Sequence, residues 1–227
     1  MKRKPTADPK VYGLMSKDAY ETNDNVHEKE LAKHGFKLDH DLSDKETKVF
    51  VNNIDKKIVL SYRGTKASKD IVSDIAIATG TESWNPRFKG ALKKFDKVHQ
   101  KYGNEYTYDT TGHSLGGQLA TYVNRHRPNQ VDENLSYSRG SGVGELFRQR
   151  PYNTYDYSNS KDIISLGARL NSDKPLLTRV FNLMTKHPLQ TTFEALYRNF
   201  KGSERNFVQN EPDKNIVEAH AIDLDWL

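Results

Sequence analysis

Residues 111–120 read Thr111-Gly112-His113-Ser114-Leu115-Gly116-Gly117-Gln118-Leu119-Ala120, and Gly112, Ser114 and Gly116 form a Gly-x-Ser-x-Gly pattern. A serine hydroxyl is a weak nucleophile and works only where a base can reach it. A sharp strand-to-helix turn makes it accessible, but it strains the serine backbone and brings neighbouring chain too close for side chains two residues on either side. Glycine at those positions meets the need. A helix opening at Ser114 also aims its free N–H groups at the reacting centre, where negative charge develops. The flanks fit this arrangement. Tyr106 to Thr110 reads as a short strand, and Leu115 to His126 as a helix ended by Pro128. Gly117 adds another small residue where that helix approaches the sheet. The plainer alternative is a glycine-rich turn with no chemistry.

Outward from this stretch, strands and helices alternate. Val26 to His34 reads as a helix with Leu31 as its main apolar contact. Thr47 to Tyr62 reads as a β-hairpin turning near Asp55-Lys56. Val49 and Val51 alternate with polar neighbours on its first arm. Ile58-Val59-Leu60 makes a denser second arm, which suits a strand buried on both faces. Arg87 to Tyr102 is a helix whose Phe88, Leu92, Phe95, Val98 and Tyr102 share one face, and Gly103 stops it. Asn134 to Ser138 and Thr154 to Ser158 read as further strands. The alternation predicts a parallel sheet with crossover helices. The length suits a single domain over 11–227, with residues 1–10 as a flexible basic tail.

Composition narrows the function. The 227 residues include no cysteine, which excludes disulfides, thiol nucleophiles, iron–sulfur clusters and cysteine-ligated zinc. No apolar run is long enough for a spanning helix. MKRKP is followed by TADPKVYG rather than an apolar stretch, so no secretion signal is expected. The missing cysteines suit a reducing, intracellular compartment. Net charge is +5 and only 35% of residues are hydrophobic. Arg87, Lys89, Lys93, Lys94, Lys97 and Lys101 share a helix with one acid, Asp96. That stripe is either a solvated face or a surface for transient contact with anionic lipid. No specific nucleic-acid binding is expected.

Ser61-Tyr62-Arg63-Gly64-Thr65, followed by Asp70 and Asp74, together with Thr-Gly-His-Ser-Leu-Gly-Gly at 111–117, resembles the fungal-type class 3 lipase family of α/β-hydrolases. The resemblance runs from about Ala19 to Leu227, and His113 precedes the serine as in that family. It implies an α/β-hydrolase fold: a mostly parallel central sheet flanked by helices, with a short lid. It also implies a serine hydrolase that cleaves carboxylic esters of lipids through a Ser-His-Asp triad, with no metal or organic cofactor. The expected chain order is Ser, Asp, His. After Ser114 come His126, at the end of the nucleophile helix, His187 and His220. The resemblance implies His220 as the base, with His187 the fallback. Asp162, in Lys161-Asp162-Ile163-Ile164, resembles the family's acid, and Asp156 is its competitor inside a strand. Leu115 follows the nucleophile and would give one oxyanion N–H. The resemblance implies Thr65 as the second donor and Asp74 as the acid that orients it. Ile75 to Asn85 corresponds to the family's lid. Two departures bear on pocket shape: Ile71 stands where an aromatic residue is usual, and Arg139-Gly140-Ser141-Gly142-Val143-Gly144 lacks the usual proline. The family's secreted members often carry disulfides, which this chain lacks. A non-catalytic interaction protein that retains the fold is the alternative reading.

Overall fold

A computed structural model describes residues 4–21, 26–65, 85–140 and 151–158. Asp70, Asp74, Asp162, His187, His220 and all of the expected lid except Asn85 lie outside the described residues. The elements are α1 (Pro9–Asp18), α2 (Glu28–Lys33), β1 (Lys37–Leu38), β2 (Thr47–Asn52), β3 (Lys57–Tyr62), α3 (Pro86–Tyr102), β4 (Thr107–His113), α4 (Leu115–His126), β5 (Glu133–Tyr137) and β6 (Thr154–Tyr157).

The six strands form one sheet in chain order. β1, β2 and β3 are an antiparallel meander, while β3–β4, β4–β5 and β5–β6 are parallel. The hairpin turns as its sequence demands. The Asn52 side-chain oxygen accepts from the Ile54 and Asp55 amides, and Lys56 takes a left-handed φ of 50°. All six residues of β2 are buried, its polar ones included. β1 pairs with its outer edge, and helices cover both faces.

α3 and α4 pack on one face, over Val49, Val51, Ile58, Leu60 and Tyr62. α1 packs on the other, over Phe50, Val59, Leu135 and Tyr137. In α3, Phe88, Ala91, Phe95 and Val98 are buried, and each buried phenylalanine contributes about 1.5–3 kcal/mol. Asn85 caps the helix by accepting from the Arg87 amide, with Pro86 at its first position. Half of the basic stripe is engaged in holding α3 to the loop before β2 and to the chain just after β3. Lys94 pairs with Asp44 at 2.5 Å, Lys101 pairs with Asp39 at 2.7 Å, and Arg87 donates to the Arg63 carbonyl.

Between α4 and β5–β6 the core is polar. Asn134 donates to Thr121 at 3.0 Å, Asn124 to Asn153 at 2.9 Å, and Ser136 to the Gly117 carbonyl at 3.2 Å. In this layer residues counted as polar fill interior positions.

Residues 4–8 lead into α1. Asp8 caps it by accepting from the Lys10 amide, and Pro9 opens it. Upstream, the Glu133 carboxylate accepts from the Thr6 and Ala7 amides at 2.9 Å each. Tyr12 donates to the fully buried Asp109 at 2.5 Å, and Lys57 pairs with the same carboxylate at 3.0 Å. A buried carboxylate left without donors is costly, so residues 6–12 supply what Glu133 and Asp109 need. At mid-sheet, Ser16 contacts Thr111 at 2.8 Å and Ser61 donates to the Met15 carbonyl.

Candidate active site

β4 runs three residues beyond the predicted strand end. Thr111, Gly112 and His113 keep their ladder with β5, and Thr111 and Gly112 also keep theirs with β3, so the turn shrinks to Ser114 itself. Ser114 has φ 57° and ψ −125° and is followed at once by α4. Few side-chain-bearing residues hold such a backbone, and where one is held the cost is about 1–3 kcal/mol. Its hydroxyl caps no amide of α4. The Ser114 amide donates to the Tyr137 carbonyl at 3.0 Å, and its carbonyl accepts from Gly140 at 3.1 Å. Beside it, one residue past β5, Ser138 is also left-handed, with φ 44°.

The two flanking glycines are needed for contact with neighbouring backbone. A Cβ on Gly112 would lie 2.4 Å from the Gly116 carbonyl carbon, and one on Gly116 would lie 2.0 Å from the Tyr62 carbonyl oxygen. Neither clash can be relieved by rotating a side chain. α4 therefore starts against the end of β3, with its unpaired N–H groups at the carboxyl edge of the parallel strands.

The sheet register brings the second expected donor to the same edge. Tyr62 pairs with Gly112, so Arg63, Gly64 and Thr65 continue alongside His113 and Ser114. Gly64 abuts the elbow, since a Cβ there would sit 2.7 Å from the His113 carbonyl. Ser114, Leu115, Gly112, His113, Gly116 and Thr65 are thus gathered at one edge of the sheet. His126 is at the far end of α4, exposed, its ring against Tyr122. Asp156 lies inside β6, where Arg139 grips it: Nε to Oδ1 is 2.8 Å and Nη2 to Oδ2 is 3.1 Å. Arg139 is fully buried and follows Ser138, so the ion pair anchors the loop that bonds to the Ser114 carbonyl.

A further residue, absent from the sequence reading, reaches this edge. Tyr20, in the turn after α1, has its hydroxyl 3.0 Å from His113 Nδ1 and 3.3 Å from the His113 carbonyl. Burial pushes its phenol well above the ordinary value, against the Gly64 amide and the Arg87 and Arg63 guanidinia. Burial likewise pulls the Arg87 guanidinium below its ordinary value. The signal that could have led to Tyr20 is the Asp8-Pro9 pair, a helix-start signature upstream of it. Among the described residues, no group of three or more His, Asp or Glu side chains is arranged to hold a metal, and no helix is long and apolar enough to cross a membrane.

No family model matches the chain. It is 38% identical over 76 residues to an uncharacterized protein of Rickettsia prowazekii (strain Madrid E), a match covering 31% of this chain and 20% of that protein. The match thus spans about a fifth of that relative's length. Among solved structures, lipase II from Rhizopus niveus aligns with a TM-score of 0.52 and 16% identity, over 68% of this chain and 71% of that one. Lip2 lipase from Yarrowia lipolytica aligns with a TM-score of 0.48 and 18% identity, over 68% and 71%. The chain has a lipase-like α/β-hydrolase fold, as the elbow and the mixed sheet already indicate.

Proposed function

We propose that the protein is a serine ester hydrolase that cleaves carboxylic esters of lipids, as a lipase, phospholipase or esterase. The observation that carries this reading is Ser114: a non-glycine residue held at φ 57° and ψ −125°, between two glycines in backbone contact, at the start of a helix. Such strain is retained where it serves chemistry.

In this mechanism His220 takes the Ser114 proton as Oγ attacks the ester carbonyl. Asp162 orients the His220 imidazole. The Leu115 and Thr65 N–H groups hold the developing oxyanion, with Asp74 supporting Thr65. His220 then protonates the departing alcohol, and water attacks the acyl-enzyme by the same route in reverse. The Rhizopus niveus neighbour is a lipase by name, which favours lipid esters over other acyl substrates.

Contact with anionic lipid belongs to the same proposal. Lys89, Lys93 and Lys97 are exposed on one face of α3, with no carboxylate partner among the described residues. Lys89 is nearest the catalytic edge, and Lys97 lies about 12 Å further along the helix axis.

A fluorophosphonate probe should label the wild type and leave Ser114→Ala unlabelled. A panel of soluble esters, glycerides and phospholipids, in vesicles with and without phosphatidylserine, then defines the substrate. A folded wild type that is inert to both the probe and the panel would refute the hydrolase reading in favour of a non-catalytic protein.

A further inference from the structure

We propose that Tyr20 is a positioning residue for this hydrolysis: its hydroxyl ties the loop carrying Thr65 to the nucleophile elbow and so fixes the spacing of the two oxyanion donors. The inference rests on the hydrolase reading above.

The two donors belong to different strands. The Leu115 N–H follows β4 and the Thr65 N–H follows β3, yet the β3–β4 pairing ends at Tyr62 and Gly112. Beyond that point the ladder no longer holds the two chains in register. Tyr20 spans the gap from a third element. On one side its hydroxyl meets His113 Nδ1 at 3.0 Å and the His113 carbonyl at 3.3 Å. On the other it fills the space a Gly64 side chain would need, because a Cβ there would come within 2.2 Å of the phenol oxygen. The His113 carbonyl closes the same space at 2.7 Å. Tyrosine, Gly64 and His113 therefore interlock without room for a methyl group.

The contact is also held from behind. The Tyr20 amide donates to the Lys17 carbonyl at 3.0 Å, which closes α1, and α1 is fixed to β4 through Ser16 and Thr111. The tyrosine ring lies edge-on to the His113 ring at 5.7 Å, and the Arg63 guanidinium approaches its face at 6.0 Å. Burial raises its phenol above the ordinary value, which favours the neutral hydroxyl. Preorganised donors work because they need no rearrangement as charge develops, and a lost donor costs about 100- to 1000-fold. A donor allowed to drift costs less.

Tyr20→Phe removes the hydroxyl and keeps the ring. With circular dichroism unchanged, kcat on a soluble p-nitrophenyl ester should fall about 10- to 100-fold, below the cost of deleting a donor. KM should stay within about twofold, since ground-state contacts are untouched. Affinity for an alkyl boronic acid, whose serine adduct is tetrahedral, should fall in step with kcat. A purely structural tyrosine would lower the melting temperature and leave kcat per folded molecule and boronate affinity alone. Gly64→Ala presses on the same contact from the other side and should give the same kcat-selected loss, which covers the case of a Tyr20→Phe protein that does not fold. A folded Tyr20→Phe protein with wild-type kcat and boronate affinity overturns the proposal. Absence of Ser114-dependent labelling in the wild type overturns the hydrolase reading instead, and Tyr20's role with it.

Discussion

Alanine at position 116 drives a methyl group into the backbone of β3. The new Cβ would lie 2.0 Å from the Tyr62 carbonyl oxygen, 2.9 Å from its carbon and 3.0 Å from the Arg63 carbonyl carbon. Real Cβ atoms keep at least 3.0 Å from such neighbours, so α4 and β3 must part by about 1 Å. β3 cannot yield, because Tyr62 is paired with Thr47 on one side and Gly112 on the other. Overpacking typically costs about 1–3 kcal/mol, and an unyielding backbone obstacle puts Gly116→Ala near about 3 kcal/mol. At this chain length that lowers the melting temperature by about 6–12 °C. The Leu115 N–H moves with the helix, and a displacement of about 1 Å in a catalytic group costs about 100-fold in rate. Thermal melts with fluorophosphonate labelling read both effects. Gly90→Ala is the control: nothing lies within 4 Å of its Cβ on the exposed side of α3, so it should gain about 0.5–1 kcal/mol and label normally. A Gly116→Ala protein that melts and labels like the wild type would show that α4 and β3 do not meet at this distance.

Two further outcomes are expected. Asp156→Asn leaves Arg139 buried without its carboxylate, at a cost of about 3–5 kcal/mol in urea denaturation, and slows labelling because the Arg139–Gly140 loop bonds to the Ser114 carbonyl. An unchanged midpoint would count against the pair's role. Asp39 is held below the ordinary carboxylate value: burial raises it, but the Lys101 and Tyr102 donors and the Leu42 amide outweigh burial. A depressed folded value means this stabilisation is complete above the unfolded value of about 4 and is lost as pH falls through the folded one. Asp39→Asn should therefore be weaker at neutral pH and lack that part of the acid loss. Matching stability–pH slopes in the two proteins below about pH 4 would refute it.

The elbow is legible in residues 111–120 because so tight a turn restricts residue types locally, and the flanking glycines sit where neighbouring backbone leaves no space. The hairpin and α3 are legible for a similar reason, since turn chemistry and a sustained apolar face are local properties. α1 is not. It carries Gly13 at its centre and buries Gly13 and Ser16 along with Val11, Tyr12 and Met15. Its grip on the sheet combines the apolar contacts of Val11, Tyr12 and Met15 with hydrogen bonds through Tyr12, Ser16 and the strand residues Ser61 and Thr111. Such a helix leaves only a faint periodicity, and its basic start reads as a tail. Tyr20, in the turn after α1, carries no local signal of its own. The acid and base proposed for the triad have no local signature comparable to that of Ser114. Chain order and family resemblance single out Asp162 and His220, and three-dimensional proximity is a matter of topology that sequence order does not carry.

The amide and hydroxyl layer beneath α4 has a calorimetric consequence. Exposure of apolar surface raises the heat capacity on unfolding, whereas exposure of polar surface lowers it. Asn124, Asn134, Ser136, Asn153 and Thr154 are all buried, so unfolding wets polar groups where a conventional core would wet hydrocarbon. The heat-capacity increment per residue should fall below the usual range of about 12–15 cal/mol/K. The free-energy curve against temperature is then broad and shallow, and the protein gives up little stability over a wide span on either side of its optimum.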